Sequence, residues 1–433
     1  MKFGRSLGFL AALVSALCIG GLLSVAVTSK SYSESYPAVV CPPTLAGLTS
    51  QISLASKKTP FQRLQNRTTK TAPVKVLRLP VNKDSLLFSS DGVTPVVWQS
   101  RASSWAGGAV CTGPEASQWF VGGTADITTR GRLIIINSGL SDAVVDVQSF
   151  TENGKQPLRT ITVVSKNYQV IPTDSLAPGD KYLTVHVAPR SGRINAFMID
   201  EQGTGLKSLG GDLVNSVSNA SKSVMIPAIP HQVKNNSALL HTLRVLTPGD
   251  VDASVTAEVL SSDGVFVPVG LTSRTVSAGI VTEFQFTPKT SSTVLAVRIT
   301  STEPVVAAVQ STVTVAGRKD FVWSTSAPEL VPLTIAISGL TPLISFVGER
   351  INVSLDVTLT NGKVVRKAVK GTDIATWRAP DAARSFTITK VGPDTFAGAL
   401  VSSVNGYGYF PIASGSLLTK IELPDSNIRV LNP

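Results

Sequence analysis

The chain has 433 residues, 43% of them hydrophobic and 15% charged, and its 39 Lys and Arg against 28 Asp and Glu give a formal charge of +11. This length fits two to four domains of about 100–200 residues; the apolar content excludes a disordered chain, and the low charge excludes a coiled coil rich in Glu and Lys. Three His and three Cys leave little material for a catalytic centre, while Val, Thr and Ile among 34 Gly and 26 Pro point to an all-β protein.

In chain order, Met1–Ser6 carries Lys2 and Arg5 and no acid, and Leu7–Thr28 follows as 22 residues without a charge. That is long enough to cross a hydrocarbon core of about 30 Å. Residues 1–30 therefore read as a membrane anchor or signal peptide. The positive flank keeps the N-terminus in the cytoplasm, so the C-terminus lies outside. Two outcomes stay open: a single-pass anchor, or secretion after cleavage behind Ala26, where Ser24-Val25-Ala26 suits a signal peptidase. Residues 31–73 are polar and basic, with no acid between Glu34 and Asp84, and read as an extracytoplasmic linker. Cys18 lies in the apolar segment, which leaves Cys41 and Cys111 as an even pair in an oxidising compartment. They are expected to form a disulfide.

From residue 74 the pattern changes to short strands. Residues 74–115 read as an N-terminal partial β module, because Ser89-Ser-Asp-Gly-Val93 copies Ser261-Ser-Asp-Gly-Val265. It is expected to cover an edge strand of the unit that follows. Three longer units then repeat one pattern. Arg132–Gly139, Thr242–Gly249 and Leu343–Gly348 are each followed by an alternating strand and by Asn153-Gly154, Asp263-Gly264 or Asn361-Gly362. The glycines that close these pairs stand 110 and then 98 residues apart. An Asn-Gly or Asp-Gly pair between apolar runs predicts a two-residue type I′ hairpin with the glycine second, which needs φ > 0. Further strands follow in register: Lys181–Val187, Thr293–Ile299 and Ser385–Lys390, then Ile194–Ile199, Val305–Gln310 and Thr395–Leu400. The expected architecture is all-β, with tandem immunoglobulin-like β-sandwich repeats of about 100 residues over 116–222, 223–322 and 323–433.

Several of these features occur together in one known group. Cys41-Pro42 behind an apolar segment, Cys111 before Gln118-Trp119-Phe120-Val121-Gly122-Gly123, the strand and turn Leu133–Gly139, and Thr300–Ala307 are the motifs concerned. In them the chain resembles an uncharacterised actinobacterial family of secreted or membrane-anchored β-rich proteins, catalogued as a domain of unknown function. The resemblance implies an envelope location and tandem β domains, and brings no catalytic residues with it.

No constellation of residues specifies chemistry. His186 alternates with Val185 and Val187 and is expected to face solvent; His231 and His241 stand ten residues apart, without metal-ligand spacing. Gly203 and Gly205 lack the phosphate-loop pattern, and no Gly-x-Ser-x-Gly elbow occurs. No catalytic, cofactor or metal site is expected. Trp98, Trp105, Trp119, Trp323 and Trp377 are the candidate ligand-contact aromatics, either packed between sheets or exposed as a platform for sugar rings. The expected function is that of a non-enzymatic envelope protein serving as scaffold, adhesion or assembly module, with envelope proteins as partners. The alternative is a binding module for wall glycans or anionic envelope polymers, which the basic charge favours. Membrane contact would run through the N-terminal helix, and export excludes nucleic acid as a partner.

Overall fold

Short alternating segments behave here as their period demands: each buries one face, so two sheets must close over every core. The computed structural model describes residues 14–15 and 37–416, apart from 56–57, 67, 74–76, 90–91, 206 and 235–236. The apolar segment Leu7–Thr28 lies outside the described residues except for Val14 and Ser15, which are helical. Among the described residues no helix is long and apolar enough to cross a membrane. The protein is all-β.

Folding begins well before residue 74. Eight strands form from the N-terminal stretch: β1 (Pro37–Cys41), β2 (Thr49–Ser53), β3 (Pro60–Arg63), β4 (Lys70–Thr71), β5 (Arg78–Val81), β6 (Leu86–Ser89), β7 (Val93–Arg101) and β8 (Trp105–Val110). They make two sheets, ordered β5-β2-β7-β8 and β4-β3-β6-β1. The linker expected over 31–73 is thus corrected from Pro37 onward. Val39, Ile52, Leu54, Phe61 and Leu64 are buried, and these apolar residues, scattered among Lys and Arg, suffice to close a small core.

The same order recurs three more times. In the second unit Asn167–Pro172, Arg132–Asn137, Ile194–Thr204 and Lys207–Val214 form one sheet; Arg159–Val163, Ala143–Thr151, Thr184–Pro189 and Gln118–Val121 form the other. In the third, the long strand Val294–Val315 serves both sheets. Its latter half lies between His241–Leu246 and Arg318–Thr325, its first half between Ala253–Ser261 and Ser221–Pro230. In the fourth, Leu343–Leu359 and Val364–Arg378 are each shared between the sheets, which Tyr407–Pro411 and Leu333–Ala336 complete. The strands that repeat in the sequence occupy matching places in the second, third and fourth units.

These units are not strung loosely. Contacts gather Tyr36–Thr419 into one compact body, and each neighbouring pair of units shares a hydrophobic cluster. First-unit residues pack with Ile134, Ile136 and Phe197 of the second. Second-unit residues pack with Val306, Phe321 and Trp323 of the third. Val313 and Val322 of the third meet Leu400 and Tyr409 of the fourth. Val96, Trp98 and Ala106 of the first pack with Ile335, Phe346 and Phe410 of the fourth. The cycle is closed. It is sealed by a parallel pairing in which Val93, Thr94 and Pro95 face Thr334, Ile335 and Ala336. The module expected to cover an edge of the next unit instead covers its face, and its sheet joins that of the fourth.

The hairpin glycines differ in one detail from the type I′ expectation. Gly154, Gly264 and Gly362 have φ of +105°, +121° and +88°, while the Asn or Asp before each stays out of the left-handed region. Thr151 pairs with Gly154 and Ser261 with Gly264, so the glycine comes after the two turn residues. This is the bulged third residue of a type I turn with a G1 bulge. The reason lies two residues before the Asn-Gly or Asp-Gly pair: Thr151 Oγ1 and Ser261 Oγ accept the backbone N–H of Asn153 and Asp263 at 3.1 and 3.2 Å and hold the turn in its type I form. A Cβ on Gly264 would meet nothing within 4 Å, so only its backbone angle resists substitution. Gly264→Val should cost about 1–2 kcal/mol. Gly249→Val, whose backbone is not left-handed and whose surroundings are equally open, should cost much less. Urea titration of the two variants checks the difference, and equal losses would contradict it.

Candidate functional site

The closed cycle turns on the last strand of each unit. The strands Trp105–Val110, Lys207–Val214, Arg318–Thr325 and Tyr407–Pro411 pack in sequence against one another, the last returning to the first. Backbones this close leave no room for side chains, and glycine supplies the space. A Cβ on Gly107 would stand 2.5 Å from Leu213 N; one on Gly408 would stand 2.6 Å from both Gly108 N and Trp98 Cζ3. Polar groups then lock the strands. Asn215 Nδ2 donates to Gly108 O at 3.0 Å and to Tyr409 O at 2.9 Å, and so bridges three units. Tyr409 Oη–H donates to Thr325 O at 2.7 Å. Beside them Arg244 pairs with Glu283 at 2.7 Å, donates to Gly123 O and Leu183 O of the second unit, and lies 4.6 Å over the Trp323 ring.

Beside these strands sits a buried group of carboxylates. Asp200 Oδ2 accepts Trp323 Nε1–H at 2.9 Å, Asp212 Oδ2 accepts Trp323 N–H at 2.8 Å, and Asp320 Oδ1 accepts Gly211 N–H at 3.1 Å. Burial drives all three upward: Asp200 is raised, Asp212 is held well above the usual carboxylate range, and Asp320 is pushed up to about 7. Asp320 therefore binds its proton more tightly in the folded state than in the unfolded one. Its contribution to stability is full below the unfolded value near 4 and is lost as pH rises through about 7. Asp320→Asn removes that titration. The stability of the variant relative to the parent should rise by about 2 kcal/mol between pH 5 and pH 7, following roughly 1.4 kcal/mol per pH unit. Urea melts of both proteins across that range measure it; parallel profiles would refute it.

Past the ends of the same strands, the segments that connect or follow the units converge on a cleft of about 710 Å³. Residues 112–117, 215–219, 326–329 and 411–416 form much of its wall, one segment from each unit. Phe120, Phe197, Met198, Met225, Val331 and Phe396 supply apolar surface. Ser117, Ser216, Ser218, Ser221, Ser223, Ser326 and Asn219 supply hydroxyl and amide groups. Glu115 projects from the first of these segments and accepts Ser218 Oγ–H at 3.2 Å; burial pushes its carboxyl up to about 7. Glu329 stands across the wall and accepts Asp394 N–H at 2.8 Å. The lining holds no Lys, Arg or His among the described residues.

The residues singled out from the sequence fall elsewhere. Cys41 and Cys111 form the expected disulfide, both fully buried, and tie β1 to the start of the segment that enters the cleft wall. Trp105 and Trp323 are completely buried, Trp98 and Trp119 nearly so, and all four pack in the shared clusters. Trp377 is half-buried, with its ring edge-on to Phe386. His186, expected at the solvent, instead stacks on Trp119 with ring centroids 4.0 Å apart and places Nε2 2.9 Å from Ser117 Oγ. Trp119 stands directly across from it on the neighbouring strand, so the imidazole on the outward face is half-buried by that ring. His231 Nδ1 lies 3.0 Å from His241 Nε2, whose Nδ1 is 2.8 Å from Ser311 Oγ; burial pushes His241 down to about 3. Among the described residues no group of three or more His, Cys, Asp or Glu could hold a metal ion. Sequence reasoning missed Glu115 and Asn215. The glycine-rich last strands, Trp105-Ala-Gly-Gly-Ala109 and Gly406-Tyr-Gly-Tyr409, were the available signal for the axis on which both depend.

Comparison with known proteins adds a group without an activity. Residues 99–369 match the model of a family of unknown function, DUF5719. No curated protein matches the chain.

Proposed function

We propose a function from the premise that the chain belongs to DUF5719, a family of unknown function, so that membership brings no activity with it. The protein is a non-enzymatic extracytoplasmic envelope protein, carried to or held at the membrane by Leu7–Thr28, that acts outside as a rigid scaffold, adhesion or assembly module. Its units are read as tandem immunoglobulin-like sandwiches with a variation. Of the eight strands in the first unit, the first and fourth join the sheet of the third and sixth, and the seventh and eighth join that of the second and fifth; an immunoglobulin constant domain has seven and places its first and fourth with the second and fifth. The observation that carries the reading is the closed cycle of shared cores. Units held on all sides present their loops at fixed spacing, as a scaffold must, whereas units joined in series would reorient. A tag behind Pro433 should be labelled from outside intact cells, and a photo-crosslinker at exposed Asn219 on the cleft rim should give a defined adduct with an envelope protein. Protection of the tag, or no adduct, overturns the reading.

A second reading, binding of anionic wall polymers, draws on one surface. Lys363, Arg366, Lys367, Lys370 and Arg378 are all exposed on or beside the strand Val364–Arg378, which also carries half-buried Trp377. Clustered cations attract a polyanion in a salt-dependent way. Isolated wall polymers should retain the protein at low salt, and the double variant Lys367→Glu with Lys370→Glu should abolish retention. Equal retention of both proteins removes this reading.

A further inference from the structure

The charge of the cleft runs against that of the protein. The whole chain carries +11, yet the described cleft lining contains two carboxylates, Glu115 and Glu329, and no cationic side chain. Glu115 sits in the wall, and among the described residues Ser218 is its one side-chain partner and no Lys or Arg lies close enough to favour its ionised form. A half-buried carboxylate without a counter-ion carries a desolvation cost, and a ligand cation that pairs with it offsets that cost. Around it the wall alternates hydroxyl groups with phenylalanine, methionine and valine, surfaces suited to the polar and apolar parts of an uncharged frame. The geometry points to the cleft as a binding site for a ligand that carries a primary ammonium group on an otherwise neutral frame, with Glu115 as the group that pairs the ammonium. Along the described lining an anionic ligand would meet two carboxylates and no cationic side chain. This site differs in place and in charge from the basic strand Val364–Arg378, and it does not depend on the scaffold role.

Two sources of such an ammonium are distinguishable: a lysine-type side chain and an amino sugar. Calorimetric titration of the full chain would use acetyl-Ala-Lys-Ala-amide against acetyl-Ala-Gln-Ala-amide, and the glucosamine dimer against its N-acetylated form. In at least one pair the ammonium member should bind about tenfold or more tightly than its neutral partner, and the pair that discriminates identifies the source. Because burial pushes the Glu115 carboxyl up to about 7, pairing requires its proton to leave, so affinity for the lysine peptide, whose ammonium stays charged, should rise about tenfold from pH 6 to pH 8, and affinity for the glucosamine dimer, whose amines lose protons near neutral pH, should rise less. Glu115→Gln should remove both the preference and the pH dependence, and the wild-type pH profile stands as an independent readout should that variant fold poorly. Equal binding within both pairs, affinity that does not change with pH, or no binding of any probe at millimolar concentration overturns the assignment.

Discussion

Valine in place of Gly408 is expected to destabilise all four units together, by about 3 kcal/mol or more. The Cβ would stand 2.6 Å from Gly108 N and from Trp98 Cζ3, and 2.9 Å from Gly107 C. Two of those three atoms are backbone of the neighbouring unit and cannot rotate away. Overpacking a well-filled core costs about 1–3 kcal/mol and occasionally more, and a β-branched group against main chain belongs at the upper end. The effect should spread because Tyr407–Pro411 and Trp105–Val110 form the contact that closes the cycle. Hydrogen exchange gives the test. Protection should fall across residues 37–411 in Gly408→Val but only around the third unit in Gly264→Val, which touches no neighbour. Loss confined to residues 333–411 in Gly408→Val would mean that the units hold independently of closure.

Removing the Cys41–Cys111 bond should cost about as much. The bond spans 70 residues, for which the chain-entropy relation gives about 4 kcal/mol. Its unit has the least to spare, since β4 contributes only Lys70 and Thr71 and β3 only four residues. Small cores depend on such links. The double variant Cys41→Ser with Cys111→Ser should lose most of that 4 kcal/mol in urea titration, and the first unit should exchange its amide hydrogens earliest. The consequence reaches the cleft. Thr112 follows Cys111 directly and accepts Asn195 Nδ2–H at 2.7 Å and Val40 N–H at 2.8 Å through its carbonyl, so it anchors the segment that carries Glu115. A loss below about 1 kcal/mol would show that packing alone holds the first unit.

Much of the strand pattern was legible along the chain because alternation and turn chemistry are local. Val353, Leu355 and Val357 point inward at every second residue, as their spacing requires. Gly154, Gly264 and Gly362 carry the positive φ that their positions after Asn or Asp announce. With Cys18 set apart in the apolar segment, Cys41 and Cys111 were left as each other's one partner. The first unit was harder to see. Its strands are two to nine residues long and interleaved with Lys and Arg, so its apolar periodicity is weak until β7. The tryptophans were equally ambiguous, because indole suits a core and a surface alike, and its place depends on what else covers it.

Composition and local pattern by themselves determined an all-β chain, the repeated strand–turn units, the Asn-Gly and Asp-Gly bends and the disulfide. Each of these depends on residues near one another in sequence or on simple pairing. Closure, the axis and the cleft were decided only in three dimensions. Thr94 faces Ile335 across a parallel pairing, Ser338 Oγ–H donates to Leu54 O, and Asn215 reaches Gly108 and Tyr409. Partners separated by a hundred to nearly three hundred positions leave no periodic trace, because their contact follows from how whole sheets stack. Glu115 shows the same limit at one residue: nothing in Gly113-Pro114-Glu115-Ala116 sets its carboxyl apart, and only the convergence of three distant segments around it half-buries that group and raises its hold on a proton.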